Sequence, residues 1–162
     1  MALNAYLKLT AESTGEIKGS VTQTGREDSI MVIAVEHEIV SPRDAASGLP
    51  TGKRQHKALV ITKEVDKSSP LLYTVLVNNE NITSWELRFW QPSASGQEVQ
   101  HYTIQLENAS ISGIRMEMLN NKYPENMAHK EREHVSFTYQ KIIWTWEDGG
   151  ITAQDDWEAP NA

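Results

Sequence analysis

The sequence contains no cysteine among its 162 residues, which excludes disulfide crosslinks and thiolate chemistry and fits either side of a cell membrane. It also lacks any run of about 18 consecutive apolar residues, so we expect no membrane-spanning helix. Basic residues number 15 against 22 acidic ones, and the net charge is -7. This balance argues against nucleic acid or an anionic membrane as a partner.

The amino-terminal segment, MALNAYLKLTAESTGEIKG, lacks the basic start and unbroken apolar core of a secretory signal peptide. We therefore expect no cleavable signal and synthesis in the cytoplasm. A protein of this kind leaves the cell only by a route that does not read such a signal.

Motifs for catalysis and cofactor binding are also missing. There is no Gly-x-Ser-x-Gly element, and the glycine-rich stretch 48–53 contains a proline and lacks the spacing of a phosphate-binding loop. His37 lies between Glu36 and Glu38, but in a strand it would point to the opposite face from both carboxylates. We expect no enzyme activity, no cofactor and no metal site.

What the sequence does contain is β-strand patterning, strongest in the stretch His134–Glu147. This stretch is rich in aromatic and β-branched residues and has neither Gly nor Pro. Apolar residues alternate with polar ones up to Tyr139, but from Ile142 onward they fall on the opposite parity. Either both faces are covered there, or a bulge near Gln140–Ile142 shifts the register. We interpret the stretch as the central strand of an all-β domain.

Further strands are predicted from alternation and turn signals. The run Ile30–Val40 opens as continuous apolar sequence, which predicts burial on both faces. Clean alternation in Ile82–Gln91 and Val99–Glu107 predicts a hairpin of half-buried strands. Additional strands are predicted at Tyr6–Leu9, Leu59–Thr62 and Ile151–Trp157.

One short helix is predicted at about residues 69–79. Ser68 or Ser69 can act as its N-cap, and Pro70 suits the first helical position. The predicted fold is all-β with one short α-helix: a small β-barrel of two packed antiparallel sheets, flanked by the helix, in a single domain spanning residues 1–162.

A cluster of turn-forming residues, SPRDAASGLPTGKRQ, predicts a long extended loop at about residues 41–56. It holds two Pro and two Gly and almost no apolar anchor. One interpretation is a mobile surface loop. The other is a projecting binding element, because loops beyond about 12–15 residues in compact domains are often functional.

The polar sides of the predicted hairpin strands form a candidate hydrated wall. Such a wall is either an ordinary solvated sheet face or a surface that lines an aqueous passage in an assembly. The residues concerned are Ser84, Glu86, Arg88, Thr103, Gln105 and Glu107.

Several segments, taken in order, resemble the haemolysin-coregulated protein (Hcp) family, the tube protein of bacterial type VI secretion. The segments are Tyr6–Leu9, Gly15–Ser20, Thr62–Pro70, Tyr102–Ala109, Val135–Trp144, Trp146–Gly149 and Trp157. The resemblance runs from the first predicted strand to the last. The chain departs from it at Arg26, where many relatives are expected to carry His, and in the connection 120–132, which matches no family motif.

The resemblance implies a small barrel with one flanking helix that closes into hexameric rings. Rings stack into a hollow tube that is propelled out of the cell, with effectors in its lumen. The implied partners are copies of the chain itself and the sheath, spike and effector proteins, without nucleic acid or membrane insertion. The protein would be cytoplasmic before firing and extracellular afterwards. In such a ring, both faces of His134–Glu147 could be apolar without a bulge.

The resemblance also implies that the long loop reaches a neighbouring ring. The expected ring-stacking residues are Arg43, Asp44, Lys53, Arg54 and His56. Two other hypotheses stay open at this point. The first is a chaperone or adaptor that uses the same barrel to bind effectors but never polymerises. The second is an unrelated small barrel enzyme, which would need a deep pocket with convergent polar groups.

Overall fold

A computed structural model describes residues 3–157 of the chain. These residues form twelve strands, one α-helix and one 3₁₀ turn at Pro124–Asn126. The first six strands are β1 (Asn4–Ala11), β2 (Gly15–Ile17), β3 (Ile30–Glu36), β4 (Ile39–Val40), β5 (Gln55–His56) and β6 (Leu59–Glu64). After helix α1 (Ser69–Val77) come β7 (Ile82–Pro92), β8 (Glu98–Glu107), β9 (Ser110–Glu117), β10 (Arg132–Thr138), β11 (Lys141–Trp146) and β12 (Ile151–Asp156).

Ten of these strands make one antiparallel sheet that curls back on itself. The order is β12-β11-β8-β7-β1-β3-β6-β10-β9, with β2 added to β1. Strands β7 and β10 lie four places apart in this order, yet the rings of Trp85 and Phe137 meet at a centroid distance of 5.3 Å. The sheet therefore forms two packed layers of a small barrel, as predicted.

The core is built by rows of apolar side chains that cross neighbouring strands. Leu7 of β1 lies beside Leu87 of β7, which in turn lies beside Ile104 of β8, and all three are buried. Burial of each such side chain contributes about 1.5–3 kcal/mol. The alternation predicted for the β7–β8 hairpin is confirmed.

The stretch predicted as one central strand is two strands that meet at a corner. β10 pairs with β6 and β9, whereas β11 pairs with β8 and β12. Between them, the Gln140 backbone N–H donates to the Glu107 carbonyl oxygen at 3.1 Å, and the Asn108 amide donates to Gln140 Oε1 at 2.8 Å. Asn108 itself has a φ of 50°. The prediction of one unbroken strand is therefore wrong: the chain changes partners between Thr138 and Lys141, next to the position Gln140–Ile142 where a bulge was the alternative.

The run Ile30–Val40 is also divided, because β3 ends at Glu36 and β4 begins at Ile39. Burial on both faces was the wrong expectation: Met31 is 37% exposed and Ile33 is 51% exposed. One side of β3 packs into the barrel and the other faces outward. After Glu36 the chain leaves the barrel.

Helix α1 packs against the barrel through Leu72 and Val75, which are buried. It ends at Val77 rather than near residue 79, because Asn79 adopts a φ of 50° and donates its N–H to the Leu76 carbonyl oxygen. Ser68 occupies the N-cap position, but its side chain makes no capping bond to the helix.

A buried ion cluster fixes the start of α1 to β6 and β10. Lys63 is completely buried, and its Nζ lies 2.9 Å from Glu133 Oε1, 3.1 Å from Asp66 Oδ1 and 3.0 Å from Ser69 Oγ. The Ser69 hydroxyl donates to Glu133 Oε1 at 2.6 Å. The Lys63 ammonium also donates to the Glu64 carbonyl oxygen at 2.9 Å. All three ammonium hydrogens thus have acceptors within reach, the condition under which a buried charge is tolerated.

The connection between β2 and β3 folds back tightly on itself at Gly19. The Gly19 N–H donates to the Asp28 carbonyl oxygen at 2.9 Å. A Cβ atom on Gly19 would overlap the Ser29 carbonyl oxygen and lie 2.7 Å from the Cα of Ile30. Only glycine permits this approach. This is a physical reason for the glycine at position 19 in the family-like segment Gly15–Ser20.

Arg26, the residue that departs from the expected histidine, is buried in the same connection. Its guanidinium lies 4.3 Å from the ring centroid of Trp90 and 5.1 Å from that of Tyr6. Its Nη1 also pairs with Glu98 Oε2 at 2.5 Å. Arginine fills the position by combining cation–π stacking with an ion pair.

The carboxylate of Glu80 ties the end of α1 to the turn between β1 and β2. Its Oε1 accepts hydrogen bonds from the backbone N–H groups of Ser13 and Thr14, at 2.9 and 2.8 Å. Its Oε2 accepts one from the Thr14 hydroxyl at 2.6 Å. These bonds, the Thr14 hydroxyl foremost, lower the pKa of Glu80.

Replacing Glu80 with glutamine is expected to flatten the acid limb of the stability profile. Because the folded-state pKa is lowered, the ionised group stabilises the native protein above the unfolded-state pKa of about 4.3, and this contribution is lost as the pH falls through the lower folded-state value. Urea unfolding at a series of pH values between about 7 and 3 measures this. The exposed Glu125→Gln variant is the control. Parallel pH profiles for Glu80→Gln and wild type would contradict the prediction.

Candidate functional site

The predicted loop at 41–56 is an ordered hairpin, which we call the arm and define as Ile39–His56. Strands β4 and β5 pair at its base, with Ile39 opposite His56. A further bridge joins Arg43 to Pro50. The turn beyond is closed by two backbone bonds of 2.8 Å, from the Asp44 N–H to the Leu49 carbonyl and from the Gly48 N–H to the Asp44 carbonyl. These bonds favour the projecting element over the mobile loop.

The tip of the arm is solvent-exposed and charged. Arg43, Asp44 and Lys53, three of the expected ring-stacking residues, are all exposed. The Asp44 carboxylate accepts hydrogen bonds from the hydroxyl and the N–H of Ser47, at 2.6 and 3.1 Å, and these lower the pKa of Asp44. The Asp44 carboxylate is thus bound within the turn, whereas the Arg43 and Lys53 side chains are exposed and accessible to a partner.

The other two expected stacking residues bind within their own chain at the base of the arm. Arg54 pairs in bidentate fashion with Asp155, at 2.5 and 2.8 Å, and also donates to the Asp156 carbonyl oxygen at 2.9 Å. His56 Nε2 lies 2.7 Å from Asp155 Oδ2, and its Nδ1 lies 2.7 Å from the Tyr139 hydroxyl. The Arg54 guanidinium is the main cause of a lowered Asp155 pKa. These contacts hold the arm on β12.

A second histidine reaches the same tyrosine from the opposite side of the arm. His37, between β3 and β4, places its Nε2 2.8 Å from the Tyr139 hydroxyl. Tyr139 is 5% exposed, and burial raises the pKa of its phenol well above the usual value. The Trp157 indole donates to the Tyr139 carbonyl oxygen at 2.6 Å and completes the corner.

We call His37, Arg54, His56, Tyr139 and Asp155 the anchor of the arm. The sequence does not reveal it, because its members come from three distant parts of the chain. Its one trace in the sequence is the change of parity after Tyr139, which marks the corner where the anchor is built.

The polar wall predicted on β7 and β8 is present in part, because Thr103 is buried at 3% exposure and Glu86, Arg88 and Gln105 are half-buried. Glu86 lies beside Gln105, and Arg88 lies beside Thr103. Arg88 Nε also approaches Glu86 Oε1 at 3.1 Å. The Glu86 and Arg88 charges of the wall are therefore paired with each other. This pairing is compatible both with an ordinary solvated sheet face and with a surface that lines an aqueous passage.

Within residues 3–157, no group of three or more His, Cys, Asp or Glu side chains is arranged to hold a metal ion. No helix in this range is long and apolar enough to cross a bilayer.

The barrel, the flanking helix and the arm together define the class: a small antiparallel β-barrel that presents an anchored, charged hairpin to its surroundings. The chain belongs to the Hcp family of type VI secretion proteins. The model of that family, described as "Type VI secretion system effector, Hcp", matches residues 6–146.

Individual relatives agree with this assignment. The chain is 42% identical to the "Major exported protein" of Pseudomonas aeruginosa over 171 aligned positions, covering 100% of this chain and 99% of the relative. A crystal structure of an Hcp protein has a TM-score of 0.91 at 31% identity, covering 98% of this chain and all of the other. The secreted protein Hcp3 of Pseudomonas aeruginosa has a TM-score of 0.80 at 34% identity, with coverage of 98% and 100%. The resemblance seen in the sequence is confirmed.

Proposed function

We propose that the protein is the structural subunit of the type VI inner tube. In this function, subunits close into hexameric rings, rings stack into a hollow tube, and the tube is exported with effectors in its lumen. The family assignment supports this, and so does the name of the relative called "Major exported protein". The observation that carries the proposal is the arm, an ordered hairpin with an exposed charged tip and an anchored base.

The physics of such an assembly requires two distinct surfaces. A ring needs a head-to-tail interface whose rotation closes, and stacking needs a second surface outside that interface. The arm suits the second role because its base is fixed by Arg54 and His56, while Arg43 and Lys53 remain exposed. The stacking residues expected from the sequence thus divide into a contacting tip and a positioning base.

We infer that the arm sets stacking register more than it supplies affinity. Exposed ion pairs contribute only about 0–1 kcal/mol each. Repeated around a ring, such contacts act in parallel and can hold a long tube while leaving a single ring free to separate. In the cell, the proposed partners are the sheath around the tube, the spike at its end and the effectors it carries. The subunit would be cytoplasmic until firing and extracellular afterwards.

Reversing the tip charges with Arg43→Glu and Lys53→Glu is expected to leave rings intact and to reduce tube formation and secretion by about tenfold or more, because each ring loses many parallel contacts at once. Light scattering after size exclusion measures the rings, and negative-stain electron microscopy measures the tubes. Deleting Ser47–Thr51, which removes most of the turn, should act in the same direction.

The matched control carries Lys122→Glu and Lys130→Glu, two exposed lysines outside the arm, with the same change in net charge. Its tubes should resemble those of the wild type. Unchanged stacking and secretion in the arm variant would overturn the assigned role of the tip. A wild-type protein that binds effectors but stays monomeric would instead identify a chaperone or adaptor.

A further inference from the structure

The anchor joins the two sides of the arm at a single hydroxyl group. His37 lies two residues before β4, and His56 lies in β5, so one imidazole is placed at the base of each strand of the arm. Both imidazoles contact the Tyr139 oxygen, at 2.8 and 2.7 Å. A phenol has one hydrogen to donate, so it cannot donate to both histidines at once.

With both histidines neutral, the acceptors fix the direction of every bond. His56 donates its Nε2 hydrogen to Asp155, so its Nδ1 is an acceptor and receives the Tyr139 hydrogen. The Tyr139 oxygen then accepts a hydrogen from His37 Nε2. Each of these three bonds then has one donor and one acceptor.

One added proton is accommodated by reversing the donors and acceptors of the hydrogen bonds that Tyr139 makes. If His56 becomes doubly protonated, it donates to Asp155 through Nε2 and to the Tyr139 oxygen through Nδ1. Tyr139 then turns its hydrogen toward His37 Nε2, which acts as an acceptor in its other neutral tautomer. The contacts survive with their donors and acceptors exchanged.

A second added proton has no such solution. Two imidazolium groups would both point a hydrogen at the Tyr139 oxygen, and the phenol hydrogen would lose its acceptor. The phenol does not relieve this by ionising, because burial raises its pKa. Burial, followed by the nearness of His56, lowers the pKa of His37 and opposes its protonation in the folded state.

Other charges around the anchor do not remove the conflict. On the β12 side, Asp155 is already shared between His56 and Arg54. Asp156 contributes its carbonyl oxygen to Arg54 and its carboxylate to Gln140, with Oδ2 accepting at 3.1 Å. On the side of His37, its neighbours Glu36 and Glu38 are exposed, and Glu38 faces Lys57 at 3.8 Å.

We propose that Tyr139 is the hub of a proton-operated latch that holds both sides of the arm while at most one histidine is charged, and releases the His37 side when both are. His37 is the side that leaves, because it is half-exposed and, among residues 3–157, has no carboxylate partner comparable to Asp155. The latch is a property of the single chain and does not depend on tube formation. By thermodynamic linkage, release of the His37 side should be accompanied by uptake of one additional proton by the protein.

Hydrogen–deuterium exchange with mass spectrometry tests the latch on the full-length protein at about pH 7.5 and pH 4.5, after correction for the intrinsic rate at each pH. In the wild type, protection of a peptide spanning residues 36–41 should fall by about fivefold or more at the lower pH. Core peptides from β1 and β7 should keep their protection, which separates local release from global unfolding.

Three variants test whether the change in protection depends on His37 and Tyr139. His37→Gln places a neutral amide at the Nε2 position that can either donate to Tyr139 or accept from it, so protection of 36–41 should be high at both pH values. Tyr139→Phe removes the hub, so protection there should be low at both. The exposed His129→Gln is the matched control and should behave as the wild type. Protection that is independent of pH in the wild type, or that falls equally in His37→Gln, would overturn the proposal.

Discussion

Replacing Lys63 with methionine is expected to lower the free energy of unfolding by about 3–5 kcal/mol. Methionine fills similar space, so the loss comes from charge rather than from a cavity. Glu133 is itself buried and would lose the ammonium that lies 2.9 Å from its carboxylate. An uncompensated carboxylate in such a site is costly because it has neither solvent nor a counterion. Urea unfolding followed by circular dichroism measures the change.

Two further variants test whether disruption of the ion cluster causes the loss of stability in Lys63→Met. Adding Glu133→Gln to Lys63→Met removes the stranded charge, so the double variant should be more stable than the sum of the two single losses predicts. Lys57→Met disrupts only an exposed pair with Glu38 at 3.8 Å and should change stability by less than about 0.5 kcal/mol. A loss below about 1 kcal/mol for Lys63→Met would show that the cluster does not depend on its cation.

The second large effect is expected at Gly19, where alanine should destabilise the protein by about 3 kcal/mol. The added methyl group would overlap backbone atoms of Ser29 and Ile30, which cannot move aside as a flexible side chain can. Relief requires separation of the β2–β3 connection from β3 and loss of its backbone hydrogen bonds. Thermal unfolding reports the result as a lowered Tm.

Gly52→Ala is the matched control for this change. Gly52 lies in the arm, and a Cβ atom added there would meet no heavy atom within 4 Å. Equal stabilities of the two alanine variants would contradict the assignment of Gly19 as a position of obligatory close approach. A loss confined to Gly19→Ala would explain why the segment Gly15–Ser20 carries glycine at that point.

Local patterns in the sequence predict the barrel well wherever a strand keeps the same neighbours and the same buried face along its length. The alternation in β7 and β8 is read directly as an inward and an outward face, and Pro70 correctly marks the start of α1. The same reasoning fails at the corner between β10 and β11. There the chain changes neighbours while keeping strand-like residues, so composition gives no sign of a break and only the parity records it.

The candidate site divides in the same way. The arm is visible because turn-forming residues cluster in one continuous stretch, 41–56. The anchor is not, because His37 and Tyr139 are 102 positions apart, and His56 and Asp155 are 99 apart. Contacts over such separations follow from the strand order, which alternation alone does not specify. Arg54 and His56, which the sequence assigns to ring stacking, make these contacts within their own chain.

Attachment of the arm to β12 gives the molecule a defined path for mechanical load. A pull on the tip reaches Arg54, just before β5, and part of it passes through the Arg54–Asp155 pair to the edge strand β12. β12 pairs only with β11 in the main sheet, through six residue pairs that end at Lys141 opposite Asp156. The part of the force that passes through this pair acts on β12 at the edge of the sheet, away from the core rows of Leu7 and Leu87. The anchor thus adds an edge strand to the load path that the backbone already provides through β3 and β6.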